Sequence, residues 1–236
     1  MRLIFIRHGD PDYVNDSLTE KGFREAEYLK RRVEKWEVKN FYCSPLGRAK
    51  ATAKPFLESM GREAKVLDWL KEFFVPVKDP ETGKDRIPWD FMPEYFTKEK
   101  MFYDKDMWTS APVMQTGEVK AAFENVCSEF DKLLAKHGYE REGGYYKVKE
   151  HNDDTIVFTC HLGITFVLAS HLLGIPTPLM WHGFFMPPTS LVVFNSEERV
   201  EGDAYFRCQA FGDTKHLTDN GEPVSASGYF TELFRG

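Results

Sequence analysis

Two short apolar runs constrain the fold of this 236-residue chain more than any other feature, because each ends on a histidine. Leu3-Ile4-Phe5-Ile6 passes directly into Arg7-His8-Gly9, and Thr155-Ile156-Val157-Phe158-Thr159 passes through Cys160 into His161. Runs this short, bounded in this way, read as strands buried on both faces, the kind found inside parallel sheets. The second leads into an almost wholly apolar helix, Leu162 to Leu173, stopped by Gly174 and Pro176. In open α/β sheets, ligands gather outside the carboxyl ends of such strands, so the chemistry is expected there.

The intervening sequence repeats the alternation of strand and helix. Thr19 suits the N-cap of a helix with Phe23, Ala26, Leu29 and Val33 on one face and Glu20, Arg24, Glu27, Arg31 and Glu34 elsewhere. Phe41-Tyr42-Cys43 reads as a short strand, with Ser44 at the cap and Pro45 at the first position of a helix to about Met60. Val66-Leu67 offers a third strand. After a long irregular stretch, Val119, Phe123, Val126, Phe130 and Leu133 mark a helix from about Val119 to Lys136, closed by Gly138. Two further strands are predicted at Leu191 to Phe194 and Ala204 to Ala210. The expected fold class is α/β, a three-layer sandwich with a mostly parallel central sheet and helices on both faces. With 42% hydrophobic residues the chain suits one domain, 1–236, carrying an aromatic-rich cap inserted at about 73–115.

Composition removes several function classes. The net charge is −6, with Lys and Arg dispersed among acidic residues, which argues against nucleic acid as a partner. No signal-peptide-like apolar region opens the sequence, and Ile164 to Ile175 is too short to span a bilayer, so a soluble, cytoplasmic protein without membrane association is expected. Cys43, Cys127, Cys160 and Cys208 form no C-x-x-C pair, which fits reduced thiols and neither a metal site nor a redox motif. The Asn15-Asp16-Ser17 sequon carries no meaning without secretion.

Three predicted strands thus end on chemistry: Ile6 on Arg7 and His8, Cys43 on Ser44 with Arg48 one turn into the next helix, and Thr159 on His161. If these strands are neighbours, two guanidiniums, two imidazoles and helix N-termini form a site for a small, highly charged anion, and phosphate fits the guanidinium fork best. A single strand-end histidine is more often a hydrogen-bonded core or loop residue; four such residues at one pole carry more weight. A neutral imidazole is a competent nucleophile toward phosphorus, so His8 is the candidate to carry a phosphoryl group. The departing alkoxide needs a proton. Glu72, in Trp69-Leu70-Lys71-Glu72-Phe73-Phe74, is the candidate acid, its pKa raised by apolar neighbours, with a solvated glutamate at a strand edge as the equal alternative.

Between Phe73 and Gln115 lie nine Phe, Trp and Tyr side chains with Pro76, Pro80, Pro88, Pro93 and Pro112 among them. They read equally as a lid that stacks on substrate and as a satellite core, and the two are compatible. Six basic residues against eight acidic ones give this stretch no second strong phosphate site. His151, His171, His182 and His216 read as structural, although Trp181-His182, Phe184-Phe185 and Pro187-Pro188 could reach the pocket rim.

Arg7-His8-Gly9, Leu18-Thr19-Glu20-Lys21-Gly22, Ser44-Pro45-Leu46-Gly47-Arg48-Ala49 with Thr52-Ala53, Leu70-Lys71-Glu72 and Cys160-His161-Leu162-Gly163 follow one another in an order that resembles the histidine phosphatase superfamily, phosphoglycerate mutase-like branch. The resemblance covers most of the chain. It implies a phosphohistidine on His8, phosphate binding by Arg7 and Arg48, completion of the pocket by His161 and proton donation by Glu72, with no metal or cofactor. Two departures stand out. Glu72 is followed by Phe73-Phe74-Val75 where mutases resemble one another in a Glu-Arg-His-Tyr-Gly run, and the first loop lacks the Trp-Asn whose Asn touches phosphate, so no role passes to Asn15. The resulting expectation is a metal-independent phosphatase acting on a small phosphorylated molecule. The alternatives are mutase-like phosphoryl transfer and a non-catalytic phospho-ligand binding protein.

Overall fold

Leu3 and Phe5 point to one side of a central sheet and Ile4 and Ile6 to the other, and all four are buried. The computed structural model describes residues 1–229. The chain runs through β1 (Arg2–Arg7), a small hairpin β2–β3 (Pro11–Asp12, Ser17–Leu18), α1 (Glu20–Val33), β4 (Asn40–Cys43), α2 (Gly47–Met60) and β5 (Lys65–Val66). A second small hairpin, β6–β7 (Val77–Lys78, Asp85–Arg86), and α3 (Pro93–Lys98) precede the long α4 (Val119–Lys136). Then come β8 (Tyr139–Glu142), β9 (Tyr145–Val148), β10 (Thr155–Cys160), α5 (Leu162–Leu173), α6 (Thr177–Gly183), β11 (Leu191–Val200), β12 (Asp203–Asp213) and α7 (Lys215–Thr218).

Eight strands form the main sheet in the order β5-β4-β10-β1-β11-β12-β9-β8. The expected α/β class holds: β5, β4, β10 and β1 are mutually parallel, and β11, β12, β9 and β8 extend the sheet antiparallel from β1. Helices cover both faces. Ile4, Ile6, Phe41 and Val157 pack with Leu29 and Val33 of α1 and with Ala49, Ala53 and Phe56 of α2. Leu3, Phe5, Ile156 and Phe158 pack on the other side with α4, α5 and the buried Phe91, Phe102 and Trp108 of the 73–115 stretch. Those aromatics therefore join the main core rather than a separate one.

Local details depart from the sequence expectation for physical reasons. In α1, Thr19 caps as expected, accepting the Gly22 N–H at 3.1 Å, but Phe23 is exposed and Glu25 is fully buried. Its carboxylate is needed there to accept the Asp10 N–H at 2.8 Å. The α2 helix starts at Gly47 with Leu46 as its cap residue, because the Ser44 hydroxyl is turned toward the strand-end pole. β8 and β9 carry charged residues between the buried Tyr139 and Tyr146, which hides them as strands. Cys43, Cys127 and Cys160 are free and buried, and Cys208 is free and half-buried. Among the described residues, no helix is long and apolar enough to cross a membrane.

Candidate active site

The strand order decides the geometry. β10 lies between β1 and β4, with Arg7 paired to Cys160 and Cys43 paired to Thr159, so the next residues of all three strands, His8, Ser44 and His161, leave the sheet at one pole. The His8 and His161 ring centroids are 5.1 Å apart. Both rings are buried.

Hydrogen bonding fixes which nitrogen of each ring is free. His8 Nδ1 is 2.8 Å from the Gly9 carbonyl, an acceptor only, so Nδ1 carries the proton and Nε2 keeps its lone pair. Burial, then the Arg7 and Arg48 guanidiniums, hold His8 well below the ordinary imidazole range. On the other side, Ser44 Oγ accepts the Leu46 N–H and lies 2.7 Å from His161 Nε2. The serine proton is free to go to Nε2, which leaves Nδ1 of His161 as a buried N–H without a partner among the described residues. Burial first, then His8 and the two arginines, keep this ring neutral as well.

The two arginines are tethered alike. Arg7 Nη1 donates to the Met186 carbonyl at 2.7 Å, and Arg48 Nη1 donates to Asp16 Oδ1 at 2.7 Å. In both, Nε is buried and, among the described residues, unpaired. Each guanidinium is thus held from one end and keeps its Nε side of the fork for a bidentate acceptor. Asp16 also accepts the Gly47 N–H at 2.6 Å, fastening the start of α2 to the first loop. Gly47 is required there, since a Cβ would lie 2.1 Å from the Asp16 carbonyl oxygen.

Glu72 faces the same cavity as Arg7, His8 and Arg48. Its Oε1 accepts the Phe73 and Ile164 N–H groups at 2.8 and 2.9 Å, while Oε2 has one long contact, 3.3 Å from the Gly163 nitrogen. Burial raises its pKa, against those N–H groups and Arg7, which favour the anion. Of the two oxygens, Oε2 is the more loosely held. A Cβ on Gly163 would meet Glu72 Oε1 and the Trp89 ring at 2.7 Å, so glycine at this position keeps acid and wall in place.

The cavity has a volume of about 830 Å³. Beyond the charged pole its lining is aromatic, with Tyr13, Phe74, Trp89, Trp181, Phe184, Phe185 and Tyr229 around it and Lys71 at the rim. Tyr229 stacks on Phe185 at 3.8 Å, and Phe74 and Phe184 are 67% and 48% exposed.

The sequence-predicted residues Arg7, His8, Arg48, Glu72 and His161 are therefore brought together. Asn15 is exposed and bonded to Asp12 at 2.7 Å, away from the cavity lining. Of the remaining histidines, His151 pairs with Glu198 and His171 with Asp131, whereas His182 stacks on Phe96 and lines the cavity. Sequence reasoning missed Asp16, Met186 and the site role of the Ser44 hydroxyl. Met186 acts through its backbone carbonyl, and no residue pattern marks that.

A parallel-sheet pole carrying two arginine forks and two neutral imidazoles suits a small, highly charged anion. Residues 3–87, a little over a third of the chain, match the model of the histidine phosphatase superfamily (branch 1). A 2,3-bisphosphoglycerate-dependent phosphoglycerate mutase from Thermoplasma acidophilum is 37% identical over 70 residues, a match spanning 25% of this chain and 35% of that protein. Solved structures match far more of the chain. A phosphoserine phosphatase variant from Entamoeba histolytica in complex with phosphoserine aligns with a TM-score of 0.61 at 20% identity, covering 92% of this chain and 98% of the other. The alpha-ribazole phosphatase from Shigella flexneri aligns at 0.58 and 21% identity, covering 91% and 97%. A mycobacterial glucosyl-3-phosphoglycerate phosphatase aligns at 0.60 and 20%, covering 89% and 98%. At these identities the structural likeness concerns the fold.

Proposed function

We propose that this chain is a metal-independent phosphatase that hydrolyses a small phosphomonoester through a phosphohistidine on His8. One observation carries the reading: among the described residues Arg7 Nε, Arg48 Nε and His161 Nδ1 are buried nitrogens without protein partners, on side chains whose charge or ring acts on His8, a neutral imidazole whose Nε2 is unprotonated. A phosphate satisfies all three, and nothing smaller or less charged does so equally well. His8 Nε2 attacks phosphorus as the bond to the ester oxygen breaks; the electron pair leaves on that oxygen, which takes the proton from Glu72 Oε2. In the second half, the Glu72 carboxylate removes a proton from water, the water oxygen bonds to phosphorus, and the phosphorus–nitrogen bond breaks to restore neutral His8. The guanidiniums and His161 disperse charge on the phosphoryl oxygens throughout.

In this reading residues 73–115 act as a cap, and the exposed aromatic rings favour an ester whose alcohol is flat or apolar. Mutase activity is the second reading, favoured by the Thermoplasma relative. It calls for a basic set to hold a second anionic group, and outside the pole, among the described residues, the lining offers Lys71 as its one Lys or Arg. The test is phosphate release, in excess chelator, from an aryl phosphate and a panel of phosphorylated metabolites, scored beside transfer to a second hydroxyl. Hydrolysis should outrun transfer and His8→Ala should abolish both; undiminished turnover by that variant would remove the assignment.

A further inference from the structure

Among the described residues, two that are not glycine have left-handed backbones, Asp16 at φ 46° and Thr189 at φ 56°. Aspartate tolerates this conformation, whereas a β-branched residue there is a genuine outlier. Such strain persists where the surroundings over-determine it. At Thr189 the surroundings are the Arg7-His8 dipeptide. The Thr189 N–H reaches the Arg7 and His8 carbonyls at 3.1 and 3.2 Å, the Arg7 N–H donates to the Ser190 carbonyl, and the Arg7 side chain donates to Met186. One five-residue loop thus holds both the backbone and the side chain of the pair.

The loop is itself held from behind. Thr189 Oγ1 donates to the Pro188 carbonyl at 2.8 Å, so its lone pair is what His216 Nε2 meets at 3.1 Å. His216 is buried at the start of α7, its Nδ1 unpaired, and burial ahead of Arg32 holds it at about 4, against Asp213 and Asp219. It is therefore a neutral Nε2–H donor over the working range.

We propose that Thr189, locked in its left-handed conformation by the His216 hydrogen bond, is a positioning residue that sets the Arg7-His8 dipeptide for in-line attack. The inference rests on the reading of His8 as nucleophile. Small displacements of a reacting group are costly, since about 1 Å is enough for roughly 100-fold in rate. The experiment measures kcat and KM per folded molecule on an aryl phosphate for His216→Leu, His216→Gln, Thr189→Ala and Thr189→Ser, with His8→Ala in parallel. His216→Leu and Thr189→Ala should lower kcat about tenfold with KM within about twofold. His216→Gln, which keeps an N–H donor, and Thr189→Ser, which keeps the hydroxyl, should recover most of the loss. If His216→Leu does not fold, the Thr189 pair decides alone. Wild-type kcat per folded molecule in Thr189→Ala, with His8→Ala inactive, would overturn this inference and leave the function standing; activity in His8→Ala would overturn both.

Discussion

The charged pole and the aromatic wall face one cavity, yet they are built by opposite rules. At the pole, His8, Ser44 and His161 stand on the ends of three adjacent parallel strands, and among the described residues Arg7 Nε, Arg48 Nε and His161 Nδ1 are buried there without partners. The wall draws Phe74 and Trp89 from the irregular stretch after Glu72 and Phe184 and Tyr229 from the far end of the chain, and part of its ring surface is open to solvent. Precise chemistry needs the first kind of construction, because a rigid sheet fixes positions that a loop does not. Selection among alcohols is compatible with the second.

Substitutions on the two sides should separate accordingly. On the proposed reading Arg48→Ala removes a bidentate partner of the phosphate and should lower kcat/KM by roughly 100- to 1,000-fold for every ester alike; a loss confined to one substrate would place Arg48 on the specificity side and blur the distinction. Glu72→Gln should cost roughly 100-fold or more on alkyl phosphates and much less on a nitrophenyl ester, whose alkoxide leaves without a proton. Its pH signature has a definite sign. In the proposed mechanism Glu72 donates while protonated, that is below its raised pKa, and His8 stays neutral down to well below the ordinary imidazole range, so wild-type activity should peak at mildly acidic to neutral pH and fall on the alkaline side. The Gln variant should lose that alkaline limb; a limb that survives would assign the acid elsewhere. Phe74→Ala should raise KM for aryl esters about fivefold, the equivalent of roughly 1 kcal/mol of ring contact, and leave inorganic phosphate inhibition unchanged.

The same contrast explains what could be read from the chain. The pole was legible because its residues lie immediately after recognisable apolar strands, and α4 and α5 were legible in extent because their apolar spacing has clear stops. Glu72 could be named as a candidate but not chosen over a solvated glutamate, since the N–H groups of Gly163 and Ile164 that meet it lie some ninety residues away. Asp16 sat unnoticed inside a sequon, although it fastens Arg48 and the start of α2. The loop that grips Arg7 works through backbone atoms of residues 186–190, and backbone hydrogen bonds across such separations leave no trace in residue type. β8 and β9 escaped for a related reason: two buried tyrosines are too few to impose a period of two on a charged segment.

The central claim is that a neutral His8 becomes covalently phosphorylated, and rapid quenching in alkali during turnover of a labelled phosphomonoester tests it most directly, because phosphohistidine survives base and is lost in acid. Peptide mapping of the quenched protein should find the label on the segment containing His8, acid-labile, and absent from His8→Ala. Turnover at the normal rate with no labelled enzyme, or with the label on another residue, would contradict the account.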